Sequence, residues 1–136
     1  MGVALTKDSI DLGIIVRDAE ASLAFYRDTL GFEHVGDMAM PGKPGGTMYR
    51  LRCGTSAIKL VHPASPPPAE APPGGIGGAY GYRYWTISVS NLAEITAKCA
   101  DAGYKVVMPV VELRPGTSIS MVEDPDGNWV EFLQVA

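Results

Sequence analysis

Apolar and polar residues alternate from Asp11 to Val16, with Leu12, Ile14 and Val16 on one side and Asp11, Gly13 and Ile15 on the other. That period of two predicts a strand with one covered face. After Asp18, the residues Leu23, Tyr26 and Leu30 recur at intervals of three and four, which predicts an amphipathic helix with Asp18 as N-cap and Gly31 as its closing residue. Three short strand candidates follow, at Phe32 to Gly36, Thr47 to Cys53 and Ala57 to Val61. The same order then returns. Trp85, Ile87 and Val89 alternate with Tyr84, Thr86 and Ser88, and Asn91 stands three residues before Glu94 in the arrangement of a capping box. Gly103 closes that helix, and strands are expected at Tyr104 to Pro109, Thr117 to Glu123 and Trp129 to Val135. The segment Ile10 to Val35 is thus echoed by Arg83 to Val107, and each half reads strand, helix, three strands.

Punctuation between these elements divides the chain. Asp124-Pro125-Asp126-Gly127-Asn128 supplies a tight reversal, with proline fixing φ and glycine accepting positive φ. Pro, Ala and Gly crowd the stretch after Pro63 and rule out a helix interior or a sheet ladder there. One domain is expected over 1–136, with a first module at 8–62, a linker at 63–79 that acts as a spacer, and a second module at 80–136. Pro41 to Gly46 and Leu113-Arg114-Pro115-Gly116 are read as loops that border a site mouth or rim.

Composition narrows the function. Eleven Lys and Arg against fifteen Asp and Glu leave a net charge of -4, so neither nucleic acid nor an anionic membrane is an expected partner. The longest apolar stretches, such as Leu12 to Val16, fall far short of the roughly 20 residues that cross a bilayer, and a cytoplasmic location is expected. Cys53 and Cys99 stand far apart and outside any CxxC spacing, so they are read as reduced structural thiols.

Leu12-Gly13-Ile14-Ile15-Val16-Arg17-Asp18, then Ser22-Leu23-Ala24-Phe25-Tyr26 and Leu30-Gly31-Phe32, and later Asp124-Pro125-Asp126-Gly127-Asn128 leading into Val130-Glu131-Phe132, together resemble the vicinal oxygen chelate superfamily, the glyoxalase, bleomycin-resistance and extradiol-dioxygenase group. The resemblance covers nearly the whole chain. It implies an α+β fold in which two tandem βαβββ modules form a cupped mixed sheet around a cavity, usually in a homodimer. It also implies, in many members, a metal held by one side chain near the start of each module's first strand and one on each module's last strand. Carried over by motif, those positions are Asp11, Lys59, Tyr84 and Glu131, of which only Glu131 is of the usual ligand type.

An ammonium group offers no lone pair and repels a divalent cation, so Lys59 speaks against a metal, and no cofactor is expected. If the four positions converge, Lys59 places its own charge between Asp11 and Glu131. The expected activity is then metal-independent acid–base proton transfer, of isomerase or lyase type, on a small carbonyl-containing molecule. Glu131 is base or acid, Lys59 stabilises an oxyanion, Tyr84 donates or relays a proton, and Asp11 holds Lys59. Trp129, Tyr82, Thr86 and Tyr49 are the candidate ligand-binding residues, on aromatic character or on the period-two face. Any of Arg50, Arg52, Arg83 and Arg114 near the cavity rim could hold an anionic group, and spacing singles out none. The alternative function is a non-catalytic binder of an antibiotic or other small molecule; a metal-dependent glyoxalase or dioxygenase ranks below both. His34 and His62 lie off the mapped positions and are read as surface or loop histidines.

Overall fold

A computed structural model describes residues 2–136 of the chain. It divides into two compact units, Met1–Pro68 and Ala69–Ala136, and each is a βαβββ module, as the repeat predicts. The first contains β1 (Leu12–Ile15), α1 (Ala19–Leu23) continued by a π-helical segment at Ala24–Thr29, β2 (Glu33–Ala39), β3 (Gly46–Cys53) and β4 (Ser56–Pro63). The second contains β5 (Tyr84–Ser88), α2 (Leu92–Asp101), β6 (Val106–Arg114), β7 (Thr117–Glu123) and β8 (Trp129–Val135). The sheets run β1-β4-β3-β2 and β5-β8-β7-β6, each with one parallel pair, β1 with β4 and β5 with β8, and antiparallel pairs elsewhere. Two mixed four-stranded sheets with few helices make the α+β fold expected.

Each helix covers one face of its own sheet. In the first unit Val16, Phe25, Tyr26, Leu51, Ile58 and Leu60 are at most 2% exposed. Phe25 meets Tyr26 edge-on, with ring centroids 4.7 Å apart. In the second, Leu92, Cys99, Val122, Val130 and Phe132 fill the corresponding space, and the Thr96 hydroxyl hydrogen-bonds that of Ser120 at 2.7 Å between α2 and β7. Each large apolar side chain so buried stabilises the fold by about 1.5–3 kcal/mol.

The helix ends show where local pattern suffices and where it fails. Asp18 caps α1 as expected, accepting from the Ala21 amide at 3.1 Å, and Gly31 and Gly103 both take the positive φ that ends a helix. The first helix is not α-helical to its end. The Leu30 amide reaches back five residues to the Phe25 carbonyl and the Thr29 hydroxyl five back to Ala24, each at 2.9 Å. The capping box at Asn91 does not form. The Leu92 amide instead donates to the side-chain oxygen of Gln134 on β8 at 2.8 Å, and Asn91 donates to Glu94 at 3.4 Å. A long-range acceptor thus serves the first free amide of α2.

Two loop expectations are also corrected. Leu113 and Arg114 are strand residues of β6, leaving only Pro115 and Gly116 as the turn into β7. β6 is an edge strand with irregular pairing between Met108 and Val111, which accommodates Pro109. Residues 72–78 are more than a spacer: Arg83 donates to the carbonyls of Gly75 and Pro72, each at 2.6 Å, and buried Gly75 lies against the Trp129 indole, where a Cβ would come within 2.2 Å of the ring. The reversal at Asp124 is as expected. Its carboxylate accepts from the amides of Asp126 and Asn128 at 2.9 and 2.8 Å, with Gly127 at φ 88°.

Candidate functional site

In the first unit β4 is central, and its alternation decides what faces where. Ile58 and Leu60 are buried on the side covered by α1, so Lys59 between them points to the other face. Register extends that level across the sheet. Gly13 of β1 pairs with Lys59, Lys59 with Arg50 of β3, and Arg50 with Gly36 of β2. Two cations therefore stand directly opposite one another, flanked on each side by a residue without a side chain. A Cβ added at Gly13 or Gly36 would meet nothing within 4 Å. Among the described residues neither Lys59 nor Arg50 has an ion-pair partner. The next polar level is neutralised within itself, Arg52 lying 3.9 Å from Glu33. Lys59, Arg50 and Arg52 border a recess of about 430 Å³, together with Met38, Met48 and Asp11.

Asp11 precedes β1 at the edge of the same recess, but it does not hold Lys59 as expected. Its Oδ1 accepts from the Lys7 ammonium at 2.7 Å and from the Ala57 amide at 2.8 Å. The hydrogen bond from Lys7, and after it that from Ala57, holds the Asp11 carboxyl below the usual carboxylate range, while Lys59 adds only a lesser attraction. Tyr49 stands opposite Leu60 in the ladder, so it belongs to the helix-covered face rather than to the Lys59 face where a ligand wall was expected. Its ring neighbours that of His34, which pairs with Asp37 at 2.5 Å. His62 meets the Val16 carbonyl at 3.3 Å.

In the second unit the parallel pair β5–β8 sets Tyr84 beside Trp129 and Thr86 beside Glu131, all on the face away from α2. The Thr86 hydroxyl donates to Glu131 Oε1 at 2.5 Å and fixes that carboxylate. Trp129 donates from its indole nitrogen to Glu123 at 3.2 Å and carries Gly75 against its ring. Tyr84 is about half exposed, whereas Tyr82 lies ahead of the strand with its side chain fully exposed. Asp11 and Lys59 thus belong to one unit and Tyr84 and Glu131 to the other.

The donor chemistry does not suit a divalent metal. Lys59 occupies one mapped ligand position, Asp11 at another is already engaged by Lys7 and Ala57, and among the described residues no three His, Cys, Asp or Glu side chains are grouped to hold an ion. Sequence reasoning missed the pairing of Arg50 with Lys59. A signal for it existed. Gly54 and Thr55 form a two-residue turn closed by Cys53 opposite Ser56, with Gly54 at φ 59°, and counting back three on each strand reaches Arg50 and Lys59.

Residues 9–132 match the family model described as Glyoxalase/Bleomycin resistance protein/Dioxygenase superfamily. Among solved structures, a glyoxalase family protein from Bacillus cereus is 17% identical, with a TM-score of 0.81 over 97% of this chain and 99% of that one. A superfamily member from Sphaerobacter thermophilus is 22% identical, with a TM-score of 0.69 over 96% and 99% of the two chains. TnmS3, an antibiotic binding protein from Streptomyces sp. CB03234, is 21% identical, with a TM-score of 0.67 over 98% and 100%. At these identities the likeness establishes the fold. No protein of curated function matches the chain in sequence. No helix among the described residues is long and apolar enough to cross a membrane.

Proposed function

Given that the chain belongs to the Glyoxalase/Bleomycin resistance protein/Dioxygenase superfamily, we propose that it holds a small organic molecule in the recess of its first unit, without a metal. The observation that carries this reading is the Lys59–Arg50 level, a pair of unneutralised cations bordering an open volume suited in size to a small ligand. Like charges directly opposite on neighbouring strands destabilise a sheet, and an arrangement that costs stability without serving a core needs another purpose. A structural neighbour that is itself an antibiotic binding protein supports binding as an end in itself. Incubating the protein with metabolite and antibiotic libraries, then recovering the bound molecule by mass spectrometry, is expected to return it chemically unaltered at about one per chain.

A second reading rests on Glu131. Its carboxylate is fixed by the Thr86 hydroxyl on a face that also carries Tyr84 and Trp129, a setting for proton transfer to or from a small carbonyl-containing molecule, of isomerase or lyase type. Catalytic turnover in the same incubation, lost in Glu131→Gln, would favour this activity over sequestration.

A further inference from the structure

From the side-chain map of the first sheet we infer that the recess is built for an amphiphilic organic acid: its carboxylate or other oxyanion lies on Lys59 and Arg50, and its apolar body on the neighbouring level. This inference rests on the proposed binding function and assigns that function a ligand class. The cationic level reads Gly13, Lys59, Arg50, Gly36 across the four strands. Two residues further along, on the same face, the level reads Ile15, Val61, Met48, Met38. Two residues of strand correspond to about 7 Å, the separation of a carboxylate from the far side of an attached ring or branched chain. Val61 is buried, whereas Ile15 is 57% exposed and Met38 47%, and of this level Met48 and Met38 line the recess, so they are the part of it open to a ligand. Methionine also adapts to ligands of irregular shape.

The glycines strengthen the assignment. Side chains at Gly13 and Gly36 would stand beside the two cations and narrow the approach to them, and the space at both positions is open. Arg50 presents a planar fork that takes two oxygens of a carboxylate or phosphoryl group, and Lys59 adds a compact charge. An oxyanion between them cancels the repulsion that the empty pair carries. The opposite polarity falls elsewhere, since Arg52 and Lys7 are answered by Glu33 and Asp11. Among the cations that line the recess, Lys59 and Arg50 are the two without an ion pair.

The test uses the full chain and five probes: phenylacetate, acetate, inorganic phosphate, neutral 2-phenylethanol and phenethylammonium, each titrated by calorimetry and by thermal shift. Phenylacetate is expected to bind about tenfold or more tightly than any other probe, since only it engages both levels. Lys59→Met should weaken that binding about tenfold. Lys59→Glu, which sets a carboxylate opposite Arg50, should raise the ligand-free Tm and abolish phenylacetate binding, so lost binding cannot be ascribed to lost folding. Gly13→Leu should weaken binding with both cations intact. Tighter binding of the neutral or cationic probe, or phenylacetate binding unmoved in Lys59→Glu and Gly13→Leu, overturns the inference while the binding function stands. Failure of every organic probe and every library compound to bind overturns both.

Discussion

At the scale of single residues, Asp11 shows how one local partner redirects a functional expectation. Its carboxyl is lowered by the Lys7 ammonium and the Ala57 amide, so it favours the folded state when ionised. A carboxyl depressed on folding contributes stability that is present above its unfolded value near 3.9 and lost as pH falls through the folded value. Asp11→Asn should therefore lower the midpoint of urea unfolding at pH 7, and the difference from the unmodified protein should shrink as titrations move from pH 5 towards pH 2. A gap that persists unchanged at pH 2 would assign the effect to packing rather than charge. The same pairing explains why Lys59 remains answerable to a ligand. Asp11 was legible as a polar residue on the Lys59 side of the strand, but Lys7 sits in an irregular segment whose path no periodicity predicts.

At the scale of elements, strand limits and turns were the most legible features, because the chemistry that sets them is local. β7 and β8 occupy the spans predicted, Thr117–Glu123 and Trp129–Val135, and the Asp124 turn between them is held by its own side chain. Contacts that reach across the chain were not legible, such as Gln134 on the α2 N-terminus or Arg83 on residues 72–75. The docking of Gly75 on Trp129 yields a stability prediction. Gly75 is buried at φ 53°, where an alanine Cβ would come within 2.2 Å of the indole. Gly75→Ala should cost about 2–4 kcal/mol in chemical unfolding, from overpacking together with an unfavourable φ, and should shift tryptophan emission. Gly77→Ala, where the added carbon meets nothing within 4 Å, is the control expected to stay within about 1 kcal/mol.

At the scale of the whole molecule, the superfamily fold is present while Lys59, mapped by resemblance onto a metal-ligand position, carries an ammonium group. Incubation with zinc, nickel or manganese followed by gel filtration is expected to leave no stoichiometric metal and an unshifted Tm, measured by elemental analysis and calorimetry; a bound equivalent with a raised Tm would reverse the reading of Lys59. The acidic balance of the chain sets the recess apart further, since its unpaired cations lie within a protein of net charge -4. The sequence alone determined the repeat, the α+β class and the capping role of Asp18, because hydrophobic period and turn chemistry act between near neighbours. Only the tertiary structure decided that Arg50 stands opposite Lys59, that glycines leave both open, that Asp11 answers Lys7, and that Tyr49 faces the helix side. Those facts depend on cross-strand register, where a shift of one residue turns every side chain to the opposite face.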